Sequence, residues 1–236
     1  MKLYDSLFED LKPLFNAEPN LSFAPDSAWA KGDPNELIFR SDAAFELGGQ
    51  GKEAIAGTFF TSDSNYVGDE GILVYGPDIK DLKGDSSYAR IALIEVDDSK
   101  MGEGKEIYSS IRKIDYVRYH VSLKGVMFRF SPLSSKESIV ISKKAADNRL
   151  SFKDIGTHFI NGFKALPQVK KVKMIFITDP NFDYQELARI SNKAEDITKA
   201  LDHLLGKVKM DCHSCALQKV CAEVETLCEE EFGKKN

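Results

Sequence analysis

A chain of 236 residues can bury one good-sized core or two small ones. With 42% hydrophobic and 29% charged residues it has the balance of an ordinary globular protein, and no stretch approaches the roughly 20 apolar residues of a spanning helix, so a membrane role is not expected. A net charge of −5, with lysines scattered or in short groups such as Lys170, Lys171 and Lys173, gives no general attraction to phosphate backbones and argues against a nucleic-acid partner.

At the start, Leu3, Leu7, Leu11 and Leu14, with Tyr4, Phe8 and Phe15, recur at helical spacing and predict an amphipathic helix of about three turns. The same stretch mixes acids with its apolar residues and lacks a basic n-region and a small-residue cleavage site. It does not read as a signal peptide, and a cytoplasmic location is expected. The segment AEPNLSFAPDSAWAKGDPNE contains Pro19, Pro25 and Pro34 and reads as an irregular connection without chemistry, so residues 1–36 form an N-terminal helix and connection. Its Trp29, the only tryptophan, is expected to pack rather than to hold a ligand.

From Leu37 to Val140 the pattern is mostly strand: ELIF, AFEL, AGTFFT, GILVYG, ARIALIEV, IDYVRYHVSL, VMFRF and SIVIS, bounded by Gly, Asp, Ser or Pro. The string Gly48-Gly49-Gln50-Gly51-Lys52 has Glu46 and Glu53 where a phosphate loop needs a glycine and a Ser or Thr, and reads as a glycine turn. Arg112, Lys113, Arg118, Lys124 and Arg129 fall within or beside IDYVRYHVSL and VMFRF. At period two some of them share a sheet face able to hold an anion, with a solvated face as the plainer reading. His120, His158 and His203 sit in different elements without a partner at recognisable spacing, and are expected to be packing or surface residues.

SFKDIGTHFINGFKAL carries a helix-period apolar stripe that stops before Pro167, and VKMIFIT is the continuous apolar run of a buried central strand. FDYQELARISNKAEDITKALDHLLGKV reads as a long charged helix with Leu187, Ile190, Ala194, Ile197, Leu201 and Leu204 on one face, closing near Gly206. Residues 37–206 are therefore expected to form an α+β (mixed α/β) domain, a mixed sheet with packed helices.

The four cysteines, Cys212, Cys215, Cys221 and Cys228, all lie in the last 25 residues in a C-x2-C-x5-C-x6-C spacing, which does not suit a disulfide framework and points to a metal-binding segment over 207–236. The two-residue gap lets Cys212 and Cys215 turn toward one centre. If AEVETL is helical, Cys221 and Cys228 share a face at a separation of roughly 10 Å. That is long for a single zinc, and a cubane iron–sulfur cluster tolerates it better, as does any fraying of the last turn. Zinc stays open, with His213 as a spare ligand.

The blocks F-E-L-G-G-Q (45–50), G-I-L-V-Y-G-P-D-I (71–79), R-K-I (112–114), I-V-I-S-K-K-A (139–145) and V-K-M-I-F-I-T-D (172–179), followed by a long helix and a C-x-x-C, are collinear with a known family. In them the chain resembles the acetyl-CoA synthase (beta) subunit of the carbon monoxide dehydrogenase/acetyl-CoA synthase complex, from the middle domain to the start of the metal-bearing last domain. The resemblance implies a [4Fe-4S] cluster on Cys212, Cys215, Cys221 and Cys228, and a protein partner of the corrinoid or carbon monoxide dehydrogenase kind. It also implies a coenzyme A or anion contact at Arg112 and Lys113. The family's nickel site needs a downstream Cys-Gly-Cys, absent from this sequence, and its coenzyme-associated tryptophan, which aligns near Met127, is missing. Nickel is therefore not expected, and no catalytic residue is assigned. The implied role is an accessory, electron-transfer or docking iron–sulfur protein of anaerobic one-carbon or acetyl-CoA metabolism. The alternatives are a reduced CO-methylating acetyl-CoA synthase completing its nickel site with a partner, and a zinc-stapled interaction module.

Overall fold

The computed structural model describes residues 1–49, 51–131, 135–205, 215 and 217–232. In chain order the elements are α1 (Asp5–Leu11), β1 (Leu21–Phe23), β2 (Ala43–Leu47), β3 (Ala54–Thr61), α2 (Ser64–Val67), β4 (Gly71–Tyr75), β5 (Tyr88–Val96) and α3 (Asp98–Met101). Then come α4 (Lys105–Tyr116), β6 (Val126–Phe130), β7 (Glu137–Ser142), α5 (Lys143–Asp147), α6 (Phe152–Lys164), β8 (Val169–Ile177), α7 (Tyr184–Leu205) and α8 (Gln218–Phe232). Pro13 removes an amide donor just past α1, which tightens into a 3-10 turn over Lys12–Phe15.

The fold class is α+β, built on two sheets. A five-stranded mixed sheet runs β1-β4-β8-β5-β3, and a three-stranded antiparallel sheet runs β2-β7-β6. β4 and β8 are parallel, as are β3 and β5, while the two pairs meet antiparallel at β8 and β5. The run VKMIFIT is thus the central strand, with Val172, Met174, Phe176 and Ile177 fully buried. Its neighbour β5 is buried at every residue, which is why ARIALIEV shows no polar alternation.

α6 packs against β8 and β4, and α7 packs against β3, α1, α4 and α8. Ser151 and Asp154 form a reciprocal cap at the start of α6. Gly156 lets α6 sit close to the sheet, since a Cβ there would come within 2.7 Å of Ile72 Cγ1. α1 belongs to the same core: Tyr4, Leu7 and Phe8 are buried, with the Tyr4 ring edge-on to Phe60 and Phe8 edge-on to Phe59.

The two sheets are joined by a buried ion pair. Arg90 of β5 donates from Nε to both carboxylate oxygens of Glu137 on β7 at 2.9 Å and from Nη2 to Oε2 at 2.6 Å, with both side chains fully buried. The Tyr88 hydroxyl adds a bond to Glu137 Oε1 at 3.2 Å, and the guanidinium lies 4.7 Å from the centre of the Phe159 ring of α6. Burial alone works against the charge on Arg90, but the adjacent Glu137 outweighs it and the guanidinium holds its proton more firmly than usual.

Three sequence expectations need correction. IDYVRYHVSL is not a strand: its first residues end α4, and Val117–Tyr119 form a 3-10 turn. Buried Ile107, Ile111 and Ile114 recur at helical spacing across that boundary, so the stripe overrides the β-branched and aromatic composition. ELIF does not form a strand either, and leaves Leu37 and Phe39 about 70% and 67% exposed. The proline-rich connection is not wholly irregular, because β1 pairs with β4 at the sheet edge. The glycine string after β2 is the link to β3, with Gly48 and Gly51 at positive φ.

Asp78, in the turn after β4, ties that turn to α6. Its buried Oδ1 accepts the N–H groups of Ile79 and Phe152, each at 2.8 Å, while Oδ2 has no hydrogen-bond partner among the described residues and lies 3.8 Å from Lys80 Nζ. Burial raises its pKa above the ordinary carboxylate value, against the pull of the two N–H groups and Lys80. The folded state therefore binds this proton more tightly than the unfolded chain. The stabilisation is full below about pH 4 and is lost as pH rises through the raised value. Asp78→Asn keeps the acceptor and removes the charge. In urea unfolding it should equal or exceed the parent at pH 7, with the gap closing as pH falls, whereas Asp78→Ala should cost about 1–3 kcal/mol.

Candidate functional site

α8 turns a narrow apolar seam toward the core. Val224 is 1% exposed, and Val220, Cys221, Leu227 and Cys228 are half-buried around it, a three-four spacing that meets α7. Cys215 stands just ahead of the helix, its carbonyl accepting the Gln218 N–H at 3.2 Å, and the Cys221 N–H donates to the Leu217 carbonyl at 2.8 Å. Cys215 and Cys221 thus flank the positive, amide-rich end of α8, where a thiolate is stabilised.

Cys228 is placed differently. It lies on the same face as Cys221, seven residues on, and α8 continues unbroken to Phe232 rather than fraying at Cys228. Seven residues of helix rise roughly 10 Å, well beyond the ~3.8 Å between two thiolates on one tetrahedral zinc, a separation that the wider cubane cluster tolerates better. Cys228 is close enough to Tyr4 to act on its charge. Burial pushes the Tyr4 hydroxyl far above its usual range, against the hydrogen bond to Thr198 Oγ1 at 2.9 Å, and the neighbouring Cys228 adds to the rise. Cys212 and His213 lie outside the described residues, and among the described residues no three His, Cys, Asp or Glu side chains are grouped to hold a metal ion. Cys215 and Cys221 fit as thiolate ligands at the head of α8. Cys228 lies two turns further along the same face of α8.

Arg112 and Lys113 lie on α4, not on a sheet face, and as successive helix residues they point into different cavities. Arg112, 3.5 Å from Asp115 Oδ2, lines a polar cavity of about 40 Å³ with Arg118, Ser135, Ser191 and Glu195. Lys113 lines a cavity of about 420 Å³ with Lys31, Tyr116, His120, His158 and Asn161. The structure therefore brings together two histidines that look isolated in sequence, and it separates the two cations that look paired.

A third cavity, of about 570 Å³, is lined by Trp29, Leu37, Ile38, Lys124 and Lys144 among others. Trp29 joins the two larger cavities: its carbonyl accepts from His158 Nε2 at 3.0 Å, and its indole Nε1 donates to the Lys124 carbonyl at 3.0 Å. An indole from the N-terminal connection thus stands beside the chain three residues before Met127. Of the other cations of that region, Arg129 on β6 pairs with Glu46 at 2.8 Å.

The CO dehydrogenase/acetyl-CoA synthase complex beta subunit family profile matches residues 32–182. The chain belongs to this family. No curated protein gives a match. The family's span covers β2 through β8, and with it the Arg90–Glu137 pair, Asp78 and most of the residues lining the larger cavities. It stops before α7, so α8 and the cysteines lie beyond it. The protein shares its core with a subunit of a multiprotein complex, and no described helix is long and apolar enough to cross a membrane.

Sequence reasoning missed Arg90, Glu137 and the His120–His158 cavity. The signal for the first was an arginine inside an otherwise apolar strand. No sequence spacing signals the second, because His120 follows α4 while His158 sits in α6. Val224→Asp would bury a charge in the α7–α8 seam. It should raise hydrogen exchange across residues 218–232 by at least an order of magnitude while leaving protection of β5 and β8 unchanged.

Proposed function

We propose that this acetyl-CoA synthase family protein carries a [4Fe-4S] cluster and works as an accessory, electron-transfer or docking component in cytoplasmic, anaerobic one-carbon or acetyl-CoA metabolism. The observation that carries the reading is the placement of Cys215 and Cys221 around the amide-rich head of α8, next in sequence to Cys212, in a chain whose core is that of the family. A bound cluster would supply one-electron transfer.

The residues of the chain do the rest. Cys212, Cys215 and Cys221 supply thiolates, and the N-terminal amides of α8 stabilise their charge. Cys228, two turns away, packs against the core where α8 meets α7, and enters the ligand set only if that helix unwinds. The position beside α8 left without a fourth thiolate faces a protein partner of the corrinoid or carbon monoxide dehydrogenase kind. The anion role proposed for Arg112 and Lys113 divides: Arg112 shares Asp115 with Arg118, and Lys113 carries its charge to a separate cavity.

Anoxically purified protein should contain about four iron and four sulfide per chain, with visible absorption bleached by dithionite. Cys215→Ala and Cys221→Ala should abolish the absorption, and Cys228→Ala should retain most of it. Stoichiometric zinc without sulfide would contradict the cluster. Equal loss in all three variants would contradict the division of roles, and nickel uptake on mixing with a carbon monoxide dehydrogenase partner would favour a completed synthase instead.

A further inference from the structure

The 420 Å³ cavity lies between the end of α4, the following turn, the second half of α6 and the Lys31 segment. That volume suits a small organic ligand. Its walls are largely apolar, formed by Val117, Val121, Gly162 and Leu166, with the Tyr116 ring edge-on to His120 at 4.8 Å. Its polar groups are of one kind in charge. Lys31 and Lys113 contribute two ammonium groups, and no acidic residue lines the cavity, in a chain whose net charge is −5. Among the described residues neither lysine has a carboxylate within ion-pair distance. Asn161 and Ser122 add hydrogen-bonding capacity, and His158 is fixed by its bond to the Trp29 carbonyl.

We propose that this cavity binds a small organic carboxylate with an apolar body, of the short-chain or aromatic acid class. The apolar walls take the body and the two lysines take the charge. A phosphate ester fits less well. Such groups are cradled by helix N-termini, backbone nests or arginine forks, and none of these lines the cavity. The C-terminal ends of α4 and α6 instead bring partial negative charge here, which works against a dianion and is tolerable for a monoanion. The proposal is independent of the cluster, since the cavity belongs to the core and the cysteines lie beyond it.

The test titrates the full chain with benzoate and hexanoate, using benzyl alcohol and phenyl phosphate as comparisons. The readouts are the fluorescence of Trp29, the only tryptophan, and the heat of binding. Saturable binding of both carboxylates is expected. Lys113→Ala and Lys31→Ala should each weaken it by roughly tenfold, and Lys113→Arg should retain most of it. Both lysines are exposed, so the circular dichroism of the variants should match the parent. The proposal is overturned by absence of saturable binding, by affinities unchanged in both alanine variants, by benzyl alcohol binding as well as benzoate, or by phenyl phosphate binding more tightly than benzoate.

Discussion

The buried contact between Arg90 and Glu137 ties the two sheets together at side-chain level, beside the backbone bonds from Ala56 to Ser135 and between Ser86 and the end of β2. Two charges withdrawn from water are tolerated only when each is matched by the other and by hydrogen bonds. Here Glu137 receives Arg90 Nε and Nη2 and the Tyr88 hydroxyl, while the Phe159 ring faces the guanidinium. One nitrogen, Arg90 Nη1, has no hydrogen-bond partner among the described residues, so the pair contributes position more than stability. A hydrophobic contact would let the sheets slide, whereas a carboxylate fixed by several directed bonds holds β7 at one place beside β5. β6 and the turn into α5 follow β7, and with them Lys124 and Ser142 on the wall of the 570 Å³ cavity.

The central elements were legible because their sequence patterns are produced by burial. VKMIFIT has no polar alternation since helices and neighbouring strands cover it, and the stripes of α6 and α7 mark the faces that do so. Misreadings came where composition and periodicity disagree. Around residues 114–123 the Ile, Tyr and Val content favours a strand, but the isoleucines of α4 repeat every three or four residues and the core accepts them as a helix. ELIF has the composition of a strand without a partner to pair with. Long-range contacts such as Arg90 with Glu137, or His120 with His158 across one cavity, leave no local trace, because they are set by strand order and helix packing.

The candidate sites divide along the same line. Cavities, ion pair and Asp78 sit in the family core, where the sheets place them. The cysteines sit on α8, whose position rests on a short seam against α7. On that helix one apolar stripe takes in both Cys221 and Cys228, while Cys215 and Cys221 also stand near the helix amides that favour thiolates.

The most direct test of this account is a double-mutant cycle on the ion pair, read by equilibrium urea unfolding with Arg90→Met, Glu137→Leu and both together. Each single variant strands a buried charge and should lose about 3–5 kcal/mol, while the double variant should recover most of that loss, a coupling well above the error of the method. Additive losses, with the double variant less stable than either single one, would contradict the claim that this pair holds the two sheets together.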